Sequence, residues 1–218
     1  MTLYIAPIVE GHTEQNCVER LLHRIWLGLL GSAERLQVLA PLRPKRDAIV
    51  HHSGEAFGVM VQNVFTVLSS TIRKDISGRG LILVLLDAER DCPMELAPRL
   101  LESARKARCD ADLACVIATR MFENWIVAGA STLAGVNDLP DPLPARDQFE
   151  QRSGVAWLEK QLRSKNQART YKKKIDGAIF VQAMDLTECR ANSPSFDKLC
   201  RELEKRLPAK SVAEATKE

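Results

Sequence analysis

The stretch at residues 81–86, LILVLL, constrains the fold of this chain more than any other. Six apolar residues in a row, with no polar alternation, suit a strand buried on both faces, as in the centre of a parallel sheet. Residues 2–9, TLYIAPIV, have the same character. Parallel strands need crossover helices, and the sequence supplies them. After the first strand, Leu21, Leu22, Ile25, Trp26, Leu29 and Leu30 recur at helical spacing, with Thr13 as the expected N-cap and Gly31 as the stop. LQVLAPLRPKR reads as a second strand running into a basic loop, where Pro41 and Pro44 forbid a helix. Phe57, Met60, Val61, Val64, Phe65 and Leu68 mark a second helix beginning near Glu55. Pro93 opens a third, with Leu96, Leu100, Leu101 and Ala104 facing inward. DLACVIATRMFENWIVAGA passes from a fourth strand into a fourth helix near Phe122.

Four strand–helix alternations predict an α/β fold of the Rossmann-like kind. The expected core is a mainly parallel four-stranded sheet with helices on both faces. It forms a domain over residues 1–135, with a helical extension over 136–207 and a flexible tail over 208–218. Ser195 is the expected cap of the last helix, and Pro208 its stop. An apolar content of 45% and a charged content of 27% exclude a disordered chain. A net charge of +3 does not by itself call for nucleic acid, so any basic footprint must be local. No apolar run reaches the roughly 20 residues of a membrane helix, and the N-terminus reads directly as a strand. Six cysteines without a CxxC pair read as reduced, mostly buried thiols. Together these predict a cytoplasmic protein with no membrane contact.

The strands end in acids. Glu10 closes the first strand and Glu14 follows one helical turn later, so both carboxylates face one spot above the sheet. Asp87, Glu89 and Asp91 follow the third strand, and Glu123 follows the fourth. The carboxyl ends of parallel strands form one rim, and ligands bind along it. Carboxylates gathered there repel unless a cation neutralises them, and an all-oxygen set suits magnesium, manganese or calcium. Each acid taken singly has an ordinary reading, as a helix-start or solvated loop residue. Their joint position at several strand ends is what points to a metal. His12 lies inside the first turn, and His51 and His52 in a loop, without a marked role. Trp125 and Trp157 read as core.

At IVEGHTEQ and LVLLDAERD the chain resembles a TOPRIM domain, the fold of topoisomerases, bacterial primases and OLD-type nucleases. It resembles more closely an uncharacterised bacterial family of TOPRIM-like proteins. That family's pattern is matched in order by VEGHTE, RPKR, LLDAERDCP, ENW, YKKKID and SPSFDKL. The resemblance implies Glu10, Glu14, Asp87, Glu89, Asp91 and Glu123 as ligands of Mg2+ or Mn2+. It implies Glu10 and Asp87 as central to catalysis, with a lysine of Lys172, Lys173 or Lys174, most simply Lys173, stabilising charge on the scissile phosphate. Glu89 departs from the usual D-x-D, keeping the charge but reaching one methylene further. The implied activity is metal-dependent cleavage of DNA or RNA phosphodiesters in bacterial defence, beside an AAA-type ATPase. The chain itself has no GxxxxGK[ST].

Arg43, Lys45 and Arg46 after the second strand, with Lys172, Lys173 and Lys174, are the expected nucleic-acid contacts, supported by Lys165 and Arg169. Few aromatics are available for stacking, so backbone contacts and weak sequence preference are expected. The rival reading is a non-catalytic TOPRIM-like module that binds an ATPase or a nucleotide. A haloacid-dehalogenase-type phosphohydrolase ranks last, because a complete strand–helix–strand–helix unit precedes Asp87.

Overall fold

The computed structural model describes residues 1–51, 54–146 and 150–208. Four strands form one parallel sheet in the order β2-β1-β3-β4: β1 (Thr2–Val9), β2 (Arg35–Val38), β3 (Gly78–Asp87) and β4 (Leu113–Ala118). The α/β class and the four strands are those expected from the sequence, and the sheet, expected to be mainly parallel, is parallel throughout. The expected tail falls almost wholly outside the described residues, as does His52.

Side-chain alternation divides the apolar strands between two cores. Leu3, Ile5, Val9, Leu81, Leu83, Leu85 and Val116 face one core. Tyr4, Ala6, Ile8, Ile82, Val84, Leu86 and Ile117 face the other. The second core is covered by α2 (Arg46–Val50), α3 (Glu55–Ile72) and α4 (Pro93–Ala107). The first is covered by α1 (His12–His23), α5 (Glu123–Ala128), α6 (Gly154–Lys165), α7 (Asp176–Ala183), α8 (Leu186–Asn192) and α9 (Pro194–Glu204). The C-terminal extension thus lies on the α1 face of the sheet and shares its core.

Three local expectations are corrected. Thr13 does not cap α1: Gly11 is the N-cap, and α1 runs on as a π-turn, Arg24–Leu29, before Gly31 turns the chain at φ +60°. The basic loop is interrupted by the short helix α2, which begins just past Pro44, where the proline no longer restricts the backbone. Ser193, not Ser195, caps α9, accepting from the Phe196 amide. Ser195 is buried instead, where its hydroxyl donates to Glu150 and accepts from the Trp125 indole at 2.8 Å. This ties the start of α9 to α5, and α5 begins with Glu123.

The chain order places the helix after β1 and the helix after β3 on opposite faces, although the two strands are neighbours. A crevice opens at such a reversal, above the carboxyl ends of the two strands. Among the described residues, no helix is long and apolar enough to cross a membrane.

Leu85, fully buried on β3, is expected to cost about 2–5 kcal/mol on replacement by alanine. Ile76→Ala, at a fully exposed apolar residue, is expected to stay within about 0.5 kcal/mol. Urea denaturation of the two variants measures the contrast.

Candidate metal centre

Glu10 and Asp87 stand at the ends of neighbouring strands, within one residue of register, since Val9 pairs with Leu85, and one Arg46 nitrogen reaches both. They sit on either side of the reversal point. Glu14 comes in from the first turns of α1 and is only 2% exposed. Glu123 opens α5 and is 1% exposed. The position of the Glu14 carboxyl gives the glycine of VEG a use. A Cβ on Gly11 would lie 2.1 Å from a Glu14 carboxylate oxygen, so a larger residue there would displace the carboxyl from this position.

The four acids act on one another. Burial, then the charge of Glu123 and more weakly that of Glu10, push Glu14 up to about 7. Burial, then Glu14, Glu123 and Glu10, hold Asp87 well above the usual carboxylate range. Burial also raises Glu10, against the opposing pull of Arg46. One oxygen of Asp87 accepts from the Phe122 amide at 2.7 Å. Glu123 accepts from the Thr13 hydroxyl at 2.8 Å, and the Lys173 ammonium stands 3.8 Å from the same oxygen. Oε1 of Glu14 is buried and has no hydrogen-bond partner.

These features fit an oxygen-ligated divalent cation. The donors are all carboxylate oxygens, the hard ligands that magnesium and manganese prefer. A buried carboxylate oxygen without a partner costs free energy that a cation would recover. Among the described residues, no group of three or more His, Cys, Asp or Glu side chains is already drawn around one metal position. Glu10 is engaged by Arg46, and Glu123 by Thr13 and Lys173.

The other expected ligands stand apart. Glu89 and Asp91 lie on the loop after β3 with side chains 59% and 49% exposed, and Glu89 adopts φ +50°. Both pair with Arg46. Arg46 itself was expected on the basic border but is turned inward, its side chain only 16% exposed.

The remaining basic residues are exposed: Arg43, Lys45, Lys172, Lys173 and Lys174. Arg43 donates to Gln15 and to the Glu10 carbonyl. Lys173 reaches Glu123 from the other side, and the charges of Arg43, Lys174 and Lys173, together with some desolvation, lower the pKa of His12. Arg169 is held by Asp176 and Asp138 and serves the loop before α7.

Three further residues take roles at the site that no local pattern assigns to them. The Thr13 hydroxyl fixes Glu123 across 110 residues. Asn124 accepts from the Gly154 amide at 2.7 Å, seating α6 against α5. Tyr171 is buried, with the charge of Glu123 adding to the burial that raises its hydroxyl pKa. Each depends on a contact between distant segments that has no local pattern.

A family model described as a domain of unknown function, DUF4276, matches residues 9–204. No curated protein and no solved structure matches the chain.

The raised carboxyls set the pH dependence of the metal-free protein. With Glu14 at about 7 when folded and about 4.3 when unfolded, the native state binds more protons between these values, so stability falls as pH rises. The loss is complete above the folded value and on the order of 3 kcal/mol for Glu14, with Asp87 acting in the same direction. The Tm of metal-free protein is expected to drop from about pH 5 to about pH 8. Glu14→Gln should flatten the drop and exceed wild type at the alkaline end. A flat wild-type profile, or one unchanged by the substitution, would count against the buried pair.

Proposed function

Because the chain belongs to the DUF4276 family, whose description leaves the activity open, its chemistry has to be read from the site, and we propose a divalent-metal-dependent, TOPRIM-like nuclease. The observation that carries the proposal is the set of Glu10, Glu14, Asp87 and Glu123 at the sheet reversal, with an unpartnered Glu14 oxygen buried inside it. These four residues would hold magnesium or manganese. A bound ion of this kind supplies Lewis acidity toward a phosphoryl oxygen and makes water nucleophilic near neutral pH.

The chain's own residues would do the rest. Thr13 fixes the rotamer of Glu123, and the Phe122 amide fixes that of Asp87. Lys173 is half exposed beside Glu123, where its ammonium would meet charge developing on the scissile phosphate. Arg43, Lys45, Lys172 and Lys174 would hold neighbouring phosphates of the strand. Trp125 is fully buried and Tyr171 nearly so, so neither is offered to a base. Weak sequence preference follows. Cytoplasmic residence and a role in bacterial defence belong to the same reading. So does an AAA-type ATPase partner, which the TOPRIM-like resemblance implies; the chain has no P-loop of its own.

One observation favours the second reading, a non-catalytic module that binds an ATPase or a nucleotide. Glu89, at the second acid position of the D-x-D pattern, is turned out to the surface.

The full chain, incubated with supercoiled plasmid, single-stranded DNA and RNA in magnesium or manganese, should nick at least one of them. Glu10→Ala and Asp87→Ala should abolish cleavage, and Lys173→Ala should slow it by roughly 100-fold, the usual cost of losing one electrostatic stabiliser. Equal cleavage by wild type and the carboxylate variants, or none by any, would leave the non-catalytic reading.

A further inference from the structure

The sequence pattern gathers six carboxylates at one rim, enough to hold a pair of divalent ions. The structure divides them into two sets. Glu14 and Glu123 are buried, and the half-buried Asp87 carboxyl feels the charge of both. Glu89 and Asp91 lie outside on the β3–α4 loop, and Glu10 stands between the sets.

Arg46 is what divides them. Its Nη1 donates to Glu10 Oε2 at 2.7 Å and to the Asp87 carbonyl at 2.8 Å. Its Nη2 pairs with Asp91 and approaches the Ala88 carbonyl at 3.4 Å. Nε lies 3.6 Å from Glu89. Burial alone would lower its pKa, but Glu10, Asp91 and Glu89 outweigh burial and raise it. The two carbonyl contacts matter most. Backbone oxygens at the end of β3 cannot swing away, so the guanidinium is seated in the fold as well as attracted by acids. A guanidinium also keeps its charge at every working pH. A fixed positive charge therefore occupies the space between Glu10 and the D-x-E loop.

Resting on the metal reading above, we infer that this centre takes a single divalent cation, and that Arg46 stands where a second one would be held. An ion bound at Glu89 and Asp91 would have to displace a charged, backbone-seated side chain and face its repulsion on the way in. Glu89 and Asp91 are then partners of Arg46 and not metal ligands. Their task is to hold the guanidinium, and through it Glu10, in place. This accounts for the glutamate where the D-x-D pattern has aspartate: at 3.6 Å from Nε the longer side chain serves a guanidinium from a left-handed turn.

Manganese titration of the full chain by calorimetry, with the electron paramagnetic resonance spectrum recorded at saturation, tests the inference. One ion per chain is expected, with the hyperfine pattern of an isolated ion. Asp91→Asn and Glu89→Gln, which touch Arg46 and no expected ligand, should shift manganese affinity by less than about 10-fold, below the usual range for a direct partner of a ligand. Glu14→Gln and Asp87→Asn should exceed the roughly 10–100-fold that even outer-shell partners cost. Arg46→Gln, if it folds, should raise the stoichiometry toward two. Two ions in wild type, a spin-coupled spectrum, or an Asp91→Asn loss as large as that of Asp87→Asn would overturn the single-ion centre while sparing the metal reading. No binding at all would sink both.

Discussion

Repulsion among carboxylates buried at the ends of β1 and β3 is the force that the surrounding structure is arranged to contain. Bringing Glu14 and Asp87 out of water beside Glu123 raises both acids at the expense of folding stability. A protein keeps such an arrangement where the site has work to do, because isosteric amides would remove the cost. The compensations are specific. The Phe122 amide and the Thr13 hydroxyl each satisfy one oxygen. Lys173 approaches from solvent, and Arg46 supplies a cation from within the fold. None of these reaches Oε1 of Glu14, which stays buried without a partner. The remaining imbalance lies where a small cation would relieve it.

The geometry that makes the repulsion possible comes from strand order. Were β1 and β3 followed by helices on the same face, a helix would cover the space between their ends. The reversal in the order β2-β1-β3-β4 opens that space instead. Right-handed crossovers then send α1 to one face and α3 and α4 to the other. Glu14 and Glu123 enter from the first face, while Arg46 enters from the second, on α2. The acids and their internal counter-cation thus approach from opposite sides of the sheet.

The sheet was readable because burial on both faces leaves a continuous apolar run, and residues 81–86 cannot be anything more exposed. The carboxylates at the rim were readable for a related reason. A polar residue straight after such a run must lie at a strand end, so Glu10 and Asp87 were located as soon as the strands were. What could not be read was which acid pairs with which cation. RPKR looks like one basic patch, yet Arg43 and Lys45 face solvent while Arg46 turns inward, since α2 begins between Lys45 and Arg46. A five-residue helix has too few positions for a periodic signal. The capping errors have a similar origin. Thr13 and Ser195 are hydroxyl residues near helix starts, and local preference assigns them as caps. Both hydroxyls are spent on long-range partners instead, Glu123 for one and Glu150 and Trp125 for the other.

Those long-range partners bear on how the chain divides. A boundary near residue 135 separates the strand–helix alternation from the helices that follow, but the centre is not complete on one side of it. Lys173 comes from the extension. The N-terminus of α6 rests directly on the backbone of Glu123, where a Cβ on Gly154 would approach the Glu123 carbonyl to within 2.7 Å. The start of α7 packs on Thr13 just as closely, through Gly177. Trp125, two residues past Glu123, is fixed by Ser195 from α9. The four acids and the Thr13 hydroxyl that orients Glu123 thus belong to the α/β unit, while Lys173 and the backbone packed against Glu123 come from the extension. An α/β unit cut off at residue 135 would keep Glu10, Glu14, Asp87 and Glu123 in its sequence. It would expose Glu123 and the apolar face that α6 to α9 cover, and the buried repulsion on which the site depends would be lost to solvent.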